Sequence, residues 1–425
     1  MFNNYFSSER FKEHKIRLKM SFLALIKWTL CSCLIGIFLG LIGAGFYKAL
    51  SFVTSFREAN PNILFLLPLS GIIIVFMYNL AGKSASSGTN LVISAIQSNE
   101  EVPARVAPLI IISTIITHLF GGSAGREGAA LQVGGSIGNF LAKVLHFDDK
   151  DTRIMIMCGM SACFSALFGT PIAAAIFSME VISVGVMYYA ALVPCVLSSF
   201  IAEGISNYFG IPNTAFVVDY VPILSIDTGF KTIVISLLFA IASVLLCVAL
   251  HKSSKIYNYL FKNAYVRIVV AGLLVICLRY IFNTTDYLGA GAPIIASSFT
   301  TRSAWYVFLL KILFTAVTLG GGFKGGEIVP TLFVGATLGS FLSAIFGLPI
   351  GLCAACGMVS VFCGVTNCPI TSFILAVEMF GTEPLKYCTI AIALSYLLSG
   401  YYSLYNSQKI VYSKYKTVYI NRKSI

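Results

Sequence analysis

The chain is 425 residues long, 57% hydrophobic and only 11% charged, where a soluble domain carries roughly 25% charged residues. That deficit leaves too little polar surface for a soluble protein, so apolar surface must face lipid. Much of the net charge of +12 comes from basic residues split between two short ends, which argues against a nucleic-acid interface and for topology and anionic headgroups.

Residues 1–20 carry Arg10, Lys12, Lys15, Arg17 and Lys19 and read as a basic cytoplasmic tail. The apolar run Phe22 to Tyr47 is too long for a secretory leader and shows no small-residue cleavage site, so it reads as a retained span. A second run covers Ile63 to Leu80. Ser86-Ser87-Gly88-Thr89-Asn90 then forms a small polar turn before an apolar stretch. The run Val106 to Leu119 contains His118, expected to be a satisfied buried histidine rather than a proton relay. Next comes GGSAGREGAALQVGG, residues 121–135, which sets Arg126 and Glu127 among glycines. An intramembrane carboxylate costs about 2.5 kcal/mol or more and is functional by default. At a helix start the cost falls, because the first backbone N–H groups are unpaired and carry the positive end of the helix dipole. Glycines let a ligand approach that backbone. Helix starts meeting at one point make an anion site without a fixed cation. The candidates are Ser87, Gly88, Thr89 and Asn90; Gly125, Arg126, Glu127 and Gly128; and Gly325, Gly326, Glu327 and Ile328. Glu127 would block such a site as a carboxylate and vacate it when protonated. A buried Arg126–Glu127 ion pair is disfavoured, because adjacent residues on a helix do not face each other.

The second half repeats this plan. GMSACFSALFGTPIAAAIFSMEV from 159 matches GMVSVFCGVTNCPITSFILAVEMFG from 357, with Pro171 against Pro369 and Glu180 against Glu378. GREG from 125 aligns with GGEI from 325, pairing Glu127 with Glu327. A one-residue gap then pairs Gly134 and Gly138 with Gly335 and Gly339. SSGTNLVISAI from 86 matches GAGAPIIASSF from 289 more weakly. The apolar runs Thr232–Leu250, Arg267–Ile281, Tyr306–Leu319, Leu332–Phe346 and Ile390–Leu398 complete the series. Duplicated halves with short, interrupted helices mark transporters whose site lies at the repeat interface. The fold class is therefore all-α: a polytopic membrane protein of two repeats with re-entrant and broken helices. Glu180 and Glu378 are expected to cap neighbouring helices or to pair with basic groups. GGGFKG from 320 follows a membrane-length run and no acid follows it at 20 residues, which excludes a dinucleotide fold. Cys353 and Cys356 have CxxC spacing without further soft ligands. No nucleophile–base set or HExxH motif appears, so no enzyme, metal or cofactor is expected.

GREG before an apolar helix, FGTPIAAAIFSMEV after it and GGEIVP in the second half resemble the CLC family of anion channels and anion/proton antiporters. The resemblance covers nearly the whole chain. It implies a homodimer with one anion pathway per subunit, halide and protons as cargo, and antiparallel, inverted halves. The family's gating glutamate matches Glu127, its anion-coordinating serine Ser87, and its pore tyrosine Tyr405, with Tyr401 and Tyr402 as alternatives. Several positions depart from the chloride pattern: Thr89 and Asn90 replace Ile-Pro, Ala129 replaces a proline, Ile328 replaces a phenylalanine, and Val181 stands where an inner proton glutamate would be. GGSAGREG, NLVI and GGE-x-x-P resemble the fluoride-transporting branch, in which a glutamate matching Glu327 takes part in fluoride/proton exchange; Val329 stands where that branch often has threonine. The implied function is fluoride/proton antiport exporting fluoride, with a chloride channel or chloride/proton antiporter as the alternative. The implied organisation is a tail (1–20), a transmembrane domain (21–400, repeats about 21–210 and 228–400) and a pore-side tyrosine segment with a short tail (401–425). That tail leaves no room for nucleotide-binding modules. The expected location is a bacterial plasma membrane, with both termini cytoplasmic.

Overall fold

The computed structural model describes residues 8–82, 88–98 and 100–425; Ser87, Ser86 and the first seven residues lie outside them. The first half runs α1 (Ser8–Ala59), α2 (Leu67–Ala81), α3 (Thr89–Ser98), α4 (Val106–Leu119), α5 (Glu127–Val144), α6 (Asp149–Phe168), α7 (Pro171–Glu180) and α8 (Leu192–Tyr208). The second runs α9 (Ile226–Leu260), α10 (Ala264–Ile281), α11 (Ala292–Ser297), α12 (Val307–Gly320), α13 (Ile328–Phe346), α14 (Ile350–Thr366), α15 (Pro369–Phe380) and α16 (Leu385–Leu398). Among the described residues seven helices are long and apolar enough to cross a membrane, and six more are apolar but only 10–17 residues long. The short ones have visible causes. Pro171 and Pro369 start α7 and α15, where a missing N–H costs nothing.

The helices expected to start at the GREG and GGEI stretches do so, but one residue out of the expected register. Arg126 is the N-cap of α5 and Glu327 the N-cap of α13. The repeat offset at the helix starts is therefore 201, not 200. Arg126 corresponds to Glu327 and Glu127 to Ile328, so the two glutamates are not repeat-related positions. The same offset already holds for Gly134/Gly335 and Gly138/Gly339. Those glycines let helices pack backbone against backbone: Gly134 lies against the Gly159 carbonyl and Gly335 against that of Gly357, with no room for a Cβ. Small residues permit such backbone approach between membrane helices.

The halves are inverted, and two carboxylates show it. Glu180, at the end of α7, accepts from the backbone N–H of Ile370 and Thr371 (3.0 and 2.8 Å) at the start of α15. Glu378, near the end of α15, accepts from Ile172 and Ala173 (2.9 and 2.8 Å) at the start of α7. Each helix caps the other's opposite end, so the equivalent helices run antiparallel. Reciprocal contacts of this kind are what a two-fold relation requires.

The all-α expectation needs one small amendment. The segment after α16 forms a hairpin of β2 (Lys409–Tyr412) and β3 (Tyr419–Lys423), and β2 pairs in parallel with β1 (Ser183–Val184). Buried Gln408 holds this segment by donating to the carbonyls of Val181 and Thr366 (2.9 and 2.7 Å).

Candidate functional site: two helix starts between two cavities

The starts of α5 and α13 meet at the repeat interface. Gly125 and Gly326 form an isolated antiparallel bridge, each donating its N–H to the other's carbonyl at 2.7 Å. The approach is tight: a Cβ on Gly128 would stand 2.9 Å from both Glu327 Oε2 and Gly326 Cα. Glycine is required there by space, since Gly128 lies within an ordinary helix.

Glu127 is fully buried. Its Oε2 accepts from the Arg126 backbone N–H at 3.1 Å and its Oε1 from Arg126 Nε at 3.2 Å. The disfavoured ion pair therefore forms. Arg126 is an N-cap with φ −121° and ψ −21°, outside the helix, so the rule against adjacent helical side chains facing each other does not apply. The guanidinium also stacks over Tyr47, 4.4 Å from the ring centroid.

Glu127 and Arg126 line a cavity of about 480 Å³ together with Tyr47, Arg57, His118 and Asp286. Val329 lines it too. Glu327 lines a second cavity of about 820 Å³ together with Asn90, His251, Lys252, Lys255 and Tyr402. The two share no lining residue. Two buried polar atoms near the partition have no hydrogen-bond partner: Glu327 Oε2 and the Tyr405 hydroxyl. Tyr405 is 1% exposed and lies within electrostatic reach of both Glu327 and Glu127. Buried polar groups are normally paired, so these two are available to a ligand.

The remaining candidates divide clearly. Thr89 joins the site, since its hydroxyl reaches the Gly128 carbonyl at 3.4 Å. Gly88 adopts φ +62° just before α3. Asn90 accepts from the Ser407 N–H at 2.9 Å and so ties α3 to the chain beyond Tyr405. Ile328 is buried in the first turn of α13. Of the alternative tyrosines, Tyr402 borders the second cavity, while the Tyr401 hydroxyl bonds Ser413 at 2.7 Å within the terminal hairpin. His118 is buried and bonds the Gly125 carbonyl at 3.3 Å. Val181 is wholly buried. The expectation that Glu180 and Glu378 cap helices holds. No group of three or more metal-ligating side chains occurs among the described residues.

Three participants escaped the sequence reading. Gln132 donates to Thr89 Oγ1 and the Gly128 carbonyl (3.4 and 3.2 Å), locking α3 to α5. Arg57 and Lys311 lie beside the first cavity or beneath its wall. Lys311 had a signal, a lone charge inside the apolar run 306–319. Arg57, at the polar end of a long helix, had none.

Inverted repeats with helix starts from both halves meeting at a buried partition between two cavities define an ion-transport protein of the membrane. The chain belongs to the CLC family: the family model described as voltage gated chloride channel matches residues 70–400. A "Chloride/fluoride channel protein" of Pseudomonas syringae pv. tomato is 35% identical over 396 residues, 92% of this chain and 88% of the relative. The H(+)/Cl(-) exchange transporter ClcA of Yersinia pseudotuberculosis is 22% identical over 82% of this chain and 79% of its own. The crystal structure of a CLC-type fluoride/proton antiporter superposes with a TM-score of 0.87 at 35% identity, over 90% of this chain and 98% of that one. A slow cyanobacterial Cl-/H+ antiporter superposes with a TM-score of 0.75 at 18% identity, over 88% of this chain and 94% of that one, a likeness of fold.

Proposed function

We propose that this protein exports fluoride across a bacterial plasma membrane in exchange for protons, with Glu127 as the gate. One observation carries the reading. Glu127 is a buried carboxylate at a helix start facing one cavity, and Glu327 stands across the Gly125–Gly326 bridge facing the other. A dehydrated anion fits between, where helix starts from both halves converge and the N–H dipoles replace water. As a carboxylate, Glu127 holds the anion's place and is retained by Arg126. Protonation weakens that bond, frees the side chain and opens the path. Glu327 and the Tyr405 hydroxyl supply unpaired polar atoms on the other side. Fluoride is a strong acceptor, and a protonated carboxyl donates strongly to it. The 35%-identical solved structure, described as a CLC-type fluoride/proton antiporter, supports this anion, and the 35%-identical Pseudomonas relative is named for both chloride and fluoride.

In the same reading the functional unit is a homodimer with one pathway per subunit, embedded in lipid, with both termini cytoplasmic. The organisation is the one read from the sequence: tail 1–20, transmembrane domain 21–400, tyrosine segment and tail 401–425. The second cavity then faces the cytoplasm, and its lysines attract anions.

The test is efflux from liposomes holding the purified protein, with fluoride and chloride followed by ion-selective electrodes and internal pH by a dye. Fluoride efflux should be at least about tenfold faster than chloride and coupled to opposite proton movement. It should speed up as pH falls, because protonation opens the gate, and Glu127→Gln should lose both the coupling and the pH dependence. Equal fluoride and chloride rates would move the chain to the chloride reading.

A further inference from the structure

The wall of the cavity beside Glu127 is the segment from Thr285 to Ile295. What holds that segment is a lysine within an apolar helix. Lys311, in the second turn of α12, is fully buried. The repeat-related residue 201 positions earlier is Ile110, also buried, so the charge belongs to one half only. Its Nζ donates to the carbonyls of Gly289 (2.7 Å) and Tyr287 (3.2 Å) and sits 5.1 Å from the Phe333 ring centroid. Among the described residues no carboxylate lies within 4 Å of it.

Lys311 is part of a basic cluster. Arg57, from α1, is within its electrostatic reach, and His118 feels Arg57, Arg126 and Lys311 together. Arg57 donates to the His118 carbonyl at 3.0 Å. Its acidic partner Glu58 stands 3.6 Å away with a side chain 62% exposed, where water screens it. The other titratable groups around this cavity are Glu127 from α5, Tyr47 from α1 and Asp286 from the wall segment, with Tyr287 and Tyr306 near it. A neutral side chain could tie two carbonyls. A buried charge is far costlier, so the tie alone does not account for a lysine. An ammonium shielded from water acts over a longer range than an exposed one.

We propose that Lys311 is a positioning residue for transport: its ammonium fixes the Tyr287–Gly289 turn and, with Arg57, maintains a positive potential that stabilises negative charge in the cavity beside Glu127. That charge is the passing anion or the Glu127 carboxylate itself. The proposal rests on the gating role of Glu127.

The experiment measures halide efflux against pH for full-length protein in liposomes. Lys311→Gln keeps N–H donors for the carbonyls and removes the charge. With less positive potential the gate protonates more readily, so the pH of half-maximal efflux should rise by roughly half to one unit. Lys311→Arg should restore the wild-type midpoint. Arg57→Gln should move it upward too, and it carries the test if Lys311→Gln does not fold. An unmoved midpoint in a folded Lys311→Gln, or in Arg57→Gln in its place, overturns the proposal alone. A wild-type rate without pH dependence overturns the gating role of Glu127, and the proposal with it. The midpoint can be read on whichever halide moves, so a chloride preference does not obscure it.

Discussion

Glu127 could be singled out in the sequence because a carboxylate among glycines in an apolar chain is expensive. Its partner could not. Whether Arg126 reaches Glu127 depends on one backbone conformation, the non-helical N-cap, and a string of letters does not record where a helix turns on. Glu327 presents the opposite case: it was legible as a candidate, but its assumed equivalence to Glu127 was one residue out. Spatially it is the counterpart of Arg126. The molecule thus places an arginine and a glutamate at matching helix starts, Arg126 against the first cavity and Glu327 against the second. The closeness of those starts gives a residue-scale expectation. Gly128→Ala would bring a Cβ to within 2.9 Å of Glu327 Oε2 and of Gly326 Cα, and the second contact is backbone that cannot rotate away. Fluoride efflux should fall at least about tenfold, a barrier increase of about 1.4 kcal/mol, while gel filtration shows an intact protein. Wild-type efflux from Gly128→Ala would mean that the two starts part easily.

At the level of elements, the short helices matter most. α7 and α15 are 10 and 12 residues long and cannot span a bilayer. Buried ends leave N–H groups that lipid cannot satisfy. Glu180 and Glu378 solve this across the repeat interface, and Glu180 also accepts from the Thr371 hydroxyl at 2.6 Å. A buried acceptor of three bonds is worth more than a half-buried acceptor of two. Glu180→Gln should therefore cost about 1–2 kcal/mol, since the amide keeps one acceptor and loses charge assistance. Glu378→Gln should cost about 1 kcal/mol or less. Thermal unfolding in detergent reads both, and a Tm equal to wild type for Glu180→Gln would remove the capping role. The capping was expected from the repeat, but its reciprocal pattern was visible only in space.

For the whole molecule, the inverted arrangement lets the chain build a site from the starts of α3, α5 and α13. Gly125–Gly326 bridging at the interface keeps the site central, and the terminal hairpin, packed on β1, delivers Tyr405 beneath it. The proposed topology puts the basic first 20 residues and the tail after Tyr405 on the cytoplasmic face. Epitope tags at either end should be cleaved by added protease in inside-out vesicles and protected in right-side-out ones. The reverse pattern would place the second cavity outside and invert the direction proposed for transport.

The amino-acid order alone determined that this chain is a duplicated membrane protein, because hydropathy and repeated Gly, Pro and Glu positions are local properties of the letters. It also marked Glu127, Glu327 and Tyr405, in part through family resemblance. Tertiary structure alone decided which glutamate faces which cavity, that Arg126 holds Glu127, and that Gln132, Arg57 and Lys311 lie close to the site. Those facts depend on where helices begin and on contacts between residues about 200 or more positions apart. Two helix starts set one residue differently would present the same side chains to different cavities.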